Sequence, residues 1–256
     1  MIDDRLAAFA CPRCHGELTV RPVAWGCRGC GAAYRHRDGV VDLAAVALPG
    51  VVERIAESAA VARLFSGVLL PALTRFGAQL GYGQERAFVE RHFRPVPGPL
   101  LDLGCGVGQH VSRLAKTFGA GRVIALDASA AMLARAREEA GSAQVLFVRG
   151  TAVALPFRER SLGGVSCFGA RLLLHSPVEA VRRIAAALRP GAPFVCVNAS
   201  RTTSVLHGVR THALSRSASA PSHAETSIED AIRRSGLQLE EVRRDRMVVM
   251  IAARKV

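Results

Sequence analysis

The sequence is 256 residues long; half of its residues are hydrophobic and 21% are charged. This balance excludes an intrinsically disordered chain, and the length allows one α/β domain with a small additional unit. The net charge is +13, but the basic residues are almost all arginines scattered along the chain, so nucleic-acid binding is an alternative rather than the first interpretation.

The first residues lack the features of a secretory signal. MIDDRLAAFA carries two acids and has no basic start. No apolar run reaches the roughly 18 residues that span a bilayer. We therefore expect a cytoplasmic protein without a transmembrane segment, whose cysteines are metal ligands or buried thiols rather than disulfides.

Four cysteines form two CxxC pairs separated by twelve residues: Cys11, Cys14, Cys27 and Cys30. Each pair directs two thiolates from one tight turn toward a common centre, and the two turns together form a tetrahedral site suited to Zn²⁺. Between the pairs, LTV and AWG indicate short hairpin strands. The pattern predicts a structural zinc ribbon over residues 1–43, without catalysis because all four zinc positions belong to the protein.

Residues 44–97 are predicted to form a helical linker. Apolar residues recur at intervals of three and four from Val51 to Phe93, which is helical periodicity, and Pro71 with nearby glycines divides the segment. These helices either pack on the next domain or cover a substrate pocket. Both alternatives remain open at this stage.

After residue 98 the sequence reads as a strand, a glycine turn and a helix. An apolar run ending at Leu103 is followed by Gly104, Gly106 and Gly108 and by the helical QHVSRLAKTF. Glycines let the backbone approach a ligand closely, and a helix start presents free N–H groups. The next strand, RVIALD, ends at Asp127, 19 residues after Gly108, about where a carboxylate reaches ribose hydroxyls. The pattern predicts a nucleotide-type ligand.

Four motifs extend this pattern: LLDLGCGVGQH, VIALDASAAML, VLFVRGTAVALPF and LRPGAPFV. In order and spacing they resemble class I S-adenosylmethionine-dependent methyltransferases over residues 98–256. With ARLF and GYGQERAFVERHF, the chain is most similar to the ubiquinone/menaquinone-type branch that carries an N-terminal zinc ribbon. The resemblance implies a doubly wound, Rossmann-like α/β fold with a seven-stranded, mostly parallel sheet, preceded by the small ribbon.

The resemblance also implies a set of residues around S-adenosylmethionine. The methionine end would be held by an acid and the glycine turn: Asp102, Gly104, Gly106 and Gly108. Asp127 would bind the ribose, and Ala128 and Met132 would flank the adenine. Thr151 and Ala152 fall where the family usually has an acid contacting the adenine amino group, and Thr151 replaces that acid.

The acceptor is expected beyond the fourth strand of this domain, where Arg171 and His175 lie at the carboxyl edge of the sheet. His175 is the candidate general base or acceptor-orienting group, although a structural role at a helix start is an alternative. Residues 200–226 form either a lid or a surface loop. Ser227 is predicted to cap a helix, and GLQLEEVRRD and MVVMIAARKV to form a final antiparallel pair of strands.

Three functions follow as hypotheses. The first is methyl transfer from S-adenosylmethionine to a small, quinone-like, aromatic or natural-product acceptor. The second is methylation of ribosomal RNA, with the basic ribbon gripping phosphates. The third is a non-catalytic module with the same fold.

Overall fold

The computed structural model describes residues 4–21, 24–44, 58, 82–141, 143–168, 177–199, 224–244 and 248–256. These residues form one sheet of eleven strands with helices on both faces. The strands are β1 (Leu18–Val20), β2 (Ala24–Cys27), β3 (Ala33–Arg37), β4 (Val40–Asp42), β5 (Leu100–Leu103), β6 (Val123–Asp127), β7 (Leu146–Arg149), β8 (Gly164–Phe168), β9 (Pro193–Ala199), β10 (Leu237–Arg244) and β11 (Val248–Lys255). The helices are α1 (Asp4–Ala7), α2 (Tyr82–His92), α3 (Gln109–Phe118), α4 (Ala130–Ala140), α5 (Pro177–Ala187) and α6 (Ala224–Arg234).

The strand order is β1-β2-β3-β4-β7-β6-β5-β8-β9-β11-β10. Strands β4 to β9 pair in parallel, whereas β10 and β11 form an antiparallel pair at one end, as predicted. The chain winds outward from β5 in both directions, which makes the carboxyl ends of β5 and its neighbours the ligand-binding edge of such a sheet. No described helix has both the length and the apolar character needed to cross a bilayer.

The described sheet has more strands than the seven predicted for the domain that follows the ribbon. Residues 100–255 contribute seven strands, and the ribbon contributes four more because β4 pairs in parallel with β7. Val40 and Val41 are β-branched residues suited to a strand, and their pairing covers the edge of β7, whose backbone groups would otherwise be exposed. The prediction of an α/β fold with a mixed sheet is confirmed, and within residues 100–255 most neighbouring strands are parallel.

Alternate residues of the central strands enter two separate cores. Leu100, Val123 and Ala125 pack with α2, α3 and α4 on one face. Leu101, Ile124 and Leu126 pack with α5 and α6 on the other face. A strand buried on both faces reads as a continuous apolar run, which explains why PLLDL and RVIALD were recognisable as strands.

The ribbon shares the second of these cores. Phe9 packs edge-on against Trp25 at a centroid distance of 5.1 Å, and its ring is tilted by 40° against Phe157 at 4.9 Å. Backbone bonds between Ala10 N and Pro156 O, 2.9 Å, and between Arg158 N and Ala8 O, 2.8 Å, run alongside these rings. The ribbon is therefore joined to the sheet by apolar packing as well as by β4.

Several predicted segments fall outside the described residues. The linker helices are described only from Tyr82, where α2 packs Phe88 onto the sheet, and most of the predicted lid at 200–226 is not described. The predicted start of α6 was wrong. The helix begins at Ala224, so Ser227 lies inside it rather than at its cap.

Candidate functional site

The glycine turn after β5 needs glycine both for its backbone conformation and for the close packing around it. Gly104, Gly106 and Gly108 have φ values of +70°, +54° and +89°, a region that favours glycine. A Cβ on Gly108 would lie 2.9 Å from the Cα and Cβ of Ala136, so this glycine lets α3 and α4 pack closely. A Cβ on Gly106 would meet no atom of the described residues within 4 Å. The turn therefore leaves free space beside Gly106.

Asp127 binds the glycine turn from the neighbouring strand. It is buried at the end of β6, where its Oδ2 accepts a hydrogen bond from Gly106 N at 2.9 Å and its Oδ1 accepts one from Ser129 N at 2.8 Å. A carboxylate has about four acceptor positions, so two backbone donors leave capacity for a ligand hydroxyl. Burial raises the pKa of Asp127 despite these bonds.

Asp102 presents an unpaired carboxylate oxygen at the same edge. Its side chain is buried on β5, where Oδ1 accepts a hydrogen bond from Ser166 Oγ at 2.8 Å. Among the described residues Oδ2 has no partner. Burial raises the pKa of Asp102 to about 7, and the neighbouring Asp127 carboxylate contributes to the same shift. A buried, unpaired oxygen is costly, which suggests that a ligand donor belongs here.

The residues expected around the adenine gather at the ends of β6 and β7. Ala128 O accepts a hydrogen bond from Arg149 Nε at 3.0 Å, and Met132 N donates to Ser129 Oγ at 3.2 Å in the first turn of α4. Ala152 begins a short 3₁₀ turn after β7. The buried Thr151 Oγ1 lacks a hydrogen-bond partner within the described part of the chain. It is a second polar atom available to a ligand.

One feature of this edge was missed from the sequence. The ring of His110, in the first turn of α3, stacks on the ring of Phe168 at the end of β8, with centroids 3.6 Å apart and an interplanar angle of 8°. Burial lowers the pKa of His110 to about 4, and Arg113 contributes, so the imidazole is neutral near pH 7. A histidine directly after the glycine turn was the available signal, but its partner is 58 residues away. Arg171 and His175 lie outside the described residues.

The four predicted zinc ligands come together at the tip of the ribbon. Their Sγ atoms all lie within 4.8 Å of one another, with Cys11 and Cys30 3.7 Å apart and Cys14 and Cys27 3.5 Å apart. A tetrahedral zinc with bonds of about 2.3 Å places its sulfurs about 3.8 Å apart, so the cluster fits the metal. A Cβ on Gly16 would lie 3.2 Å from two of these sulfurs, which explains the small residue there.

Comparisons with known proteins agree with this geometry. Residues 100–191 match the family model described as a methyltransferase domain. The chain is 27% identical over 213 residues to an uncharacterised chloroplastic methyltransferase of Arabidopsis thaliana. The aligned residues make up 73% of this chain and 60% of that protein. The chain is 39% identical over 108 residues to the demethylmenaquinone methyltransferase of Lactiplantibacillus plantarum. This alignment covers 40% of this chain and 45% of that enzyme. The chain thus spans about half of the length of such relatives.

The fold is also found in solved structures. Geranyl diphosphate methyltransferase in complex with S-adenosylmethionine superposes with a TM-score of 0.55 and 18% identity, covering 68% of this chain and 85% of that chain. This similarity shows a shared fold, and the family model assigns a methyltransferase domain to residues 100–191. Several of the relatives are named as quinone methyltransferases.

Proposed function

We propose that this protein transfers a methyl group from S-adenosylmethionine to a small quinone-like or other apolar aromatic acceptor. The observation that carries the proposal is the open space on the Cβ side of Gly106, in a turn that is hydrogen-bonded to Asp127 and follows a strand carrying the unpaired Asp102 Oδ2. The names of the relatives support the quinone-like acceptor. A cytoplasmic location stays a prediction from the sequence.

The methionine end of the cofactor would be held by Asp102 and the glycine turn. Asp102 Oδ2 would accept from the cofactor's ammonium group, which satisfies a buried carboxylate with a cationic donor. Gly108 precedes the first N–H groups of α3, and these would face the cofactor's carboxylate. Gly104 and Gly106 would keep side chains out of the space that the cofactor occupies.

The adenosyl end would lie along β6 and β7. Asp127 would bind the ribose hydroxyls with the acceptor positions that Gly106 N and Ser129 N leave open. Ala128 and Met132 would pack against the adenine, and the unpaired Thr151 Oγ1, next to Ala152, would hydrogen-bond to the base.

The acceptor would approach from the side of His110 and Phe168. When bound, the cofactor supplies an electrophilic methyl group on a sulfonium, and the protein contributes mainly by holding the acceptor in line with it. The Phe168 ring offers an apolar wall, and a neutral His110 adds no positive charge that would repel the cationic cofactor. Arg171 and His175 remain proposed acceptor-side residues, His175 as base or orienting group.

The proposed activity is tested by incubating the purified chain with methyl-labelled S-adenosylmethionine and a demethylmenaquinol carrying a short prenyl chain, with ribosomal RNA in a parallel reaction. We expect label in the quinol product and none in the RNA. Label in RNA alone would overturn the small-molecule acceptor. Calorimetry that finds no affinity for S-adenosylmethionine or S-adenosylhomocysteine would instead favour the non-catalytic module.

RNA methylation is retained as a second candidate because of the ribbon surface. Five arginines are exposed there: Arg13, Arg21, Arg28, Arg35 and Arg37. Arg28 is paired with Glu17 at 3.4 Å and Arg37 with Asp38 at 3.3 Å, which partly neutralises the surface. If the ribbon grips RNA, binding should weaken steeply with salt, at a slope set by the number of phosphates contacted.

Cofactor binding should depend on pH through Asp102. The ordinary aspartate pKa is about 3.9, and the raised value of about 7 means that the ligand-free fold gains stability at low pH and loses it as the pH rises from about 4 to about 7. An ammonium group requires the ionised carboxylate, so affinity for S-adenosylhomocysteine should fall about tenfold per pH unit below 7.

Calorimetry at pH 6, 7 and 8 measures this dependence. Asp102→Asn should weaken binding at pH 8 and flatten the profile, whereas Asp230→Asn, at an exposed acid of α6, should leave the profile unchanged. Equal affinity of the unaltered protein at pH 6 and pH 8 would contradict the proposed role of Asp102.

We also propose that the cysteine cluster binds one structural zinc ion. Elemental analysis should find one zinc per chain in the unaltered protein and in Cys167→Ala, and much less in Cys14→Ser. Because metal binding orders such small units, a chelator should lower the unfolding temperature by about 10 °C or more. A zinc-free protein with an unchanged unfolding temperature would refute the structural role.

A further inference from the structure

The last strand of the ribbon reaches the sheet directly beside the proposed cofactor site. In the parallel pairing of β4 with β7, Val41 lies opposite Val148 and Asp42 opposite Arg149. Leu43 N extends the ladder by donating to Arg149 O at 2.9 Å. The pairing therefore continues to the carboxyl end of β7, where the chain enters the segment expected to contact the adenine.

Three charged residues form one row across this edge. Arg149 is the register partner of Asp42 on one side and of Asp127 on the other. The Arg149 side chain, 27% exposed, donates from Nη1 to Asp42 Oδ2 at 3.3 Å and from Nε to Ala128 O at 3.0 Å. One guanidinium thus joins the ribbon to the loop that follows β6.

That loop carries the proposed ribose ligand and one side of the proposed adenine site. Ala128 O is held by Arg149, and the next residue, Ser129, donates its N–H to Asp127 Oδ1. A change in the direction of the Ala128 carbonyl rotates the adjoining peptide groups, including those that orient the Asp127 carboxylate. The planar guanidinium, with donors in a fixed fork, is suited to holding two elements in one geometry.

We infer that Arg149 is a positioning residue through which the folded ribbon sets the affinity of the catalytic domain for its cofactor. This inference rests on the proposed function. The half-exposed ion pair with Asp42 contributes little to stability by itself. Its effect is therefore expected in the cofactor dissociation constant rather than in the unfolding temperature.

A second arginine provides a matched control. Arg137 on α4 also crosses the boundary between ribbon and sheet, where it donates to the carbonyl of Asp38 in the turn between β3 and β4. It is exposed, and among the described residues it has no recorded bond to the loop after β6. Its loss removes a ribbon contact without touching the proposed adenine site.

Calorimetric titration of the full chain with S-adenosylhomocysteine tests the inference. Arg149→Gln should raise the dissociation constant about tenfold, and Arg149→Lys, which can keep one contact but not both, should raise it less. Asp42→Asn should have a smaller effect in the same direction. Arg137→Gln should leave the dissociation constant unchanged and shift the unfolding temperature about as much as Arg149→Gln does.

Removal of zinc tests whether the folded ribbon and the cofactor site are coupled. A chelator should raise the dissociation constant of the unaltered protein but have little further effect on Arg149→Gln, because two changes that act through one contact are not additive. Arg149→Gln with unaltered affinity, or an equal chelator effect in both proteins, would overturn the inference. If the unaltered protein itself bound no S-adenosylhomocysteine, the proposed function would fail first.

Discussion

Replacing Gly106 with alanine is expected to weaken binding of S-adenosylhomocysteine about thirtyfold while the chain stays folded. In the part of the chain that the structure describes, no atom lies within 4 Å of a Cβ built on residue 106. The added methyl group would therefore take space assigned to the cofactor. Overpacking a close-fitting site costs about 1–3 kcal/mol, which corresponds to about 5–150-fold in affinity. Calorimetry, combined with thermal unfolding, measures both effects.

Substitutions at two other glycines distinguish the effect of backbone strain from the effect of filling the space beside Gly106. Gly141 has a φ of +57°, close to the +54° of Gly106, and also has open space around its Cβ, but it lies at the far end of α4. Gly141→Ala places a side chain at a similarly positive φ, which also strains the backbone, and should keep normal affinity. Gly108→Ala should instead destabilise the fold by about 3 kcal/mol, because its Cβ would collide with Ala136. Normal affinity of Gly106→Ala would contradict the assigned space.

The second large effect is expected for Asp127→Asn, which should weaken cofactor binding by about a hundredfold or more. The carboxylate accepts from two backbone N–H groups, and an asparagine amide places an N–H donor against one of them. The loss of one acceptor position leaves a buried donor unsatisfied, at about 1–3 kcal/mol, and removes a ribose contact as well. Calorimetry at pH 8 measures the loss of affinity.

The same variant should lose some stability, so its folded state must be verified by circular dichroism at the titration temperature. Asp230→Asn removes an exposed carboxylate and should change neither affinity nor unfolding temperature. Binding of Asp127→Asn within threefold of the unaltered protein would show that the carboxylate does not hold the ribose.

The local geometry of the proposed cofactor site could be predicted because its signals are local. A buried strand, a glycine turn and a helix start are encoded in consecutive residues, and the structure brings Gly106 and Asp127 within hydrogen-bond distance. The paired cysteines are also a local signal, and their sulfurs cluster as expected. These features need only short-range geometry and the parallel order of neighbouring strands.

The features that were missed depend on pairing between distant segments. The residues of β4 were assigned to the ribbon, but nothing in GVVDL shows that this segment will pair with β7 more than 100 residues later. The stacking of His110 on Phe168 likewise joins two residues that are far apart in the sequence. The wrong capping residue for α6 has a local cause, because Ser227 satisfies a capping pattern that the longer helix overrides.

The position of the cofactor is tested most directly by a crystal structure of the intact chain with S-adenosylhomocysteine bound. We expect the ribose hydroxyls to bind the Asp127 carboxylate and the amino group to bind Asp102 Oδ2. The chain of the ligand should pass over Gly106. A ligand bound elsewhere on the protein, with Asp102 and Asp127 untouched, would contradict this expectation.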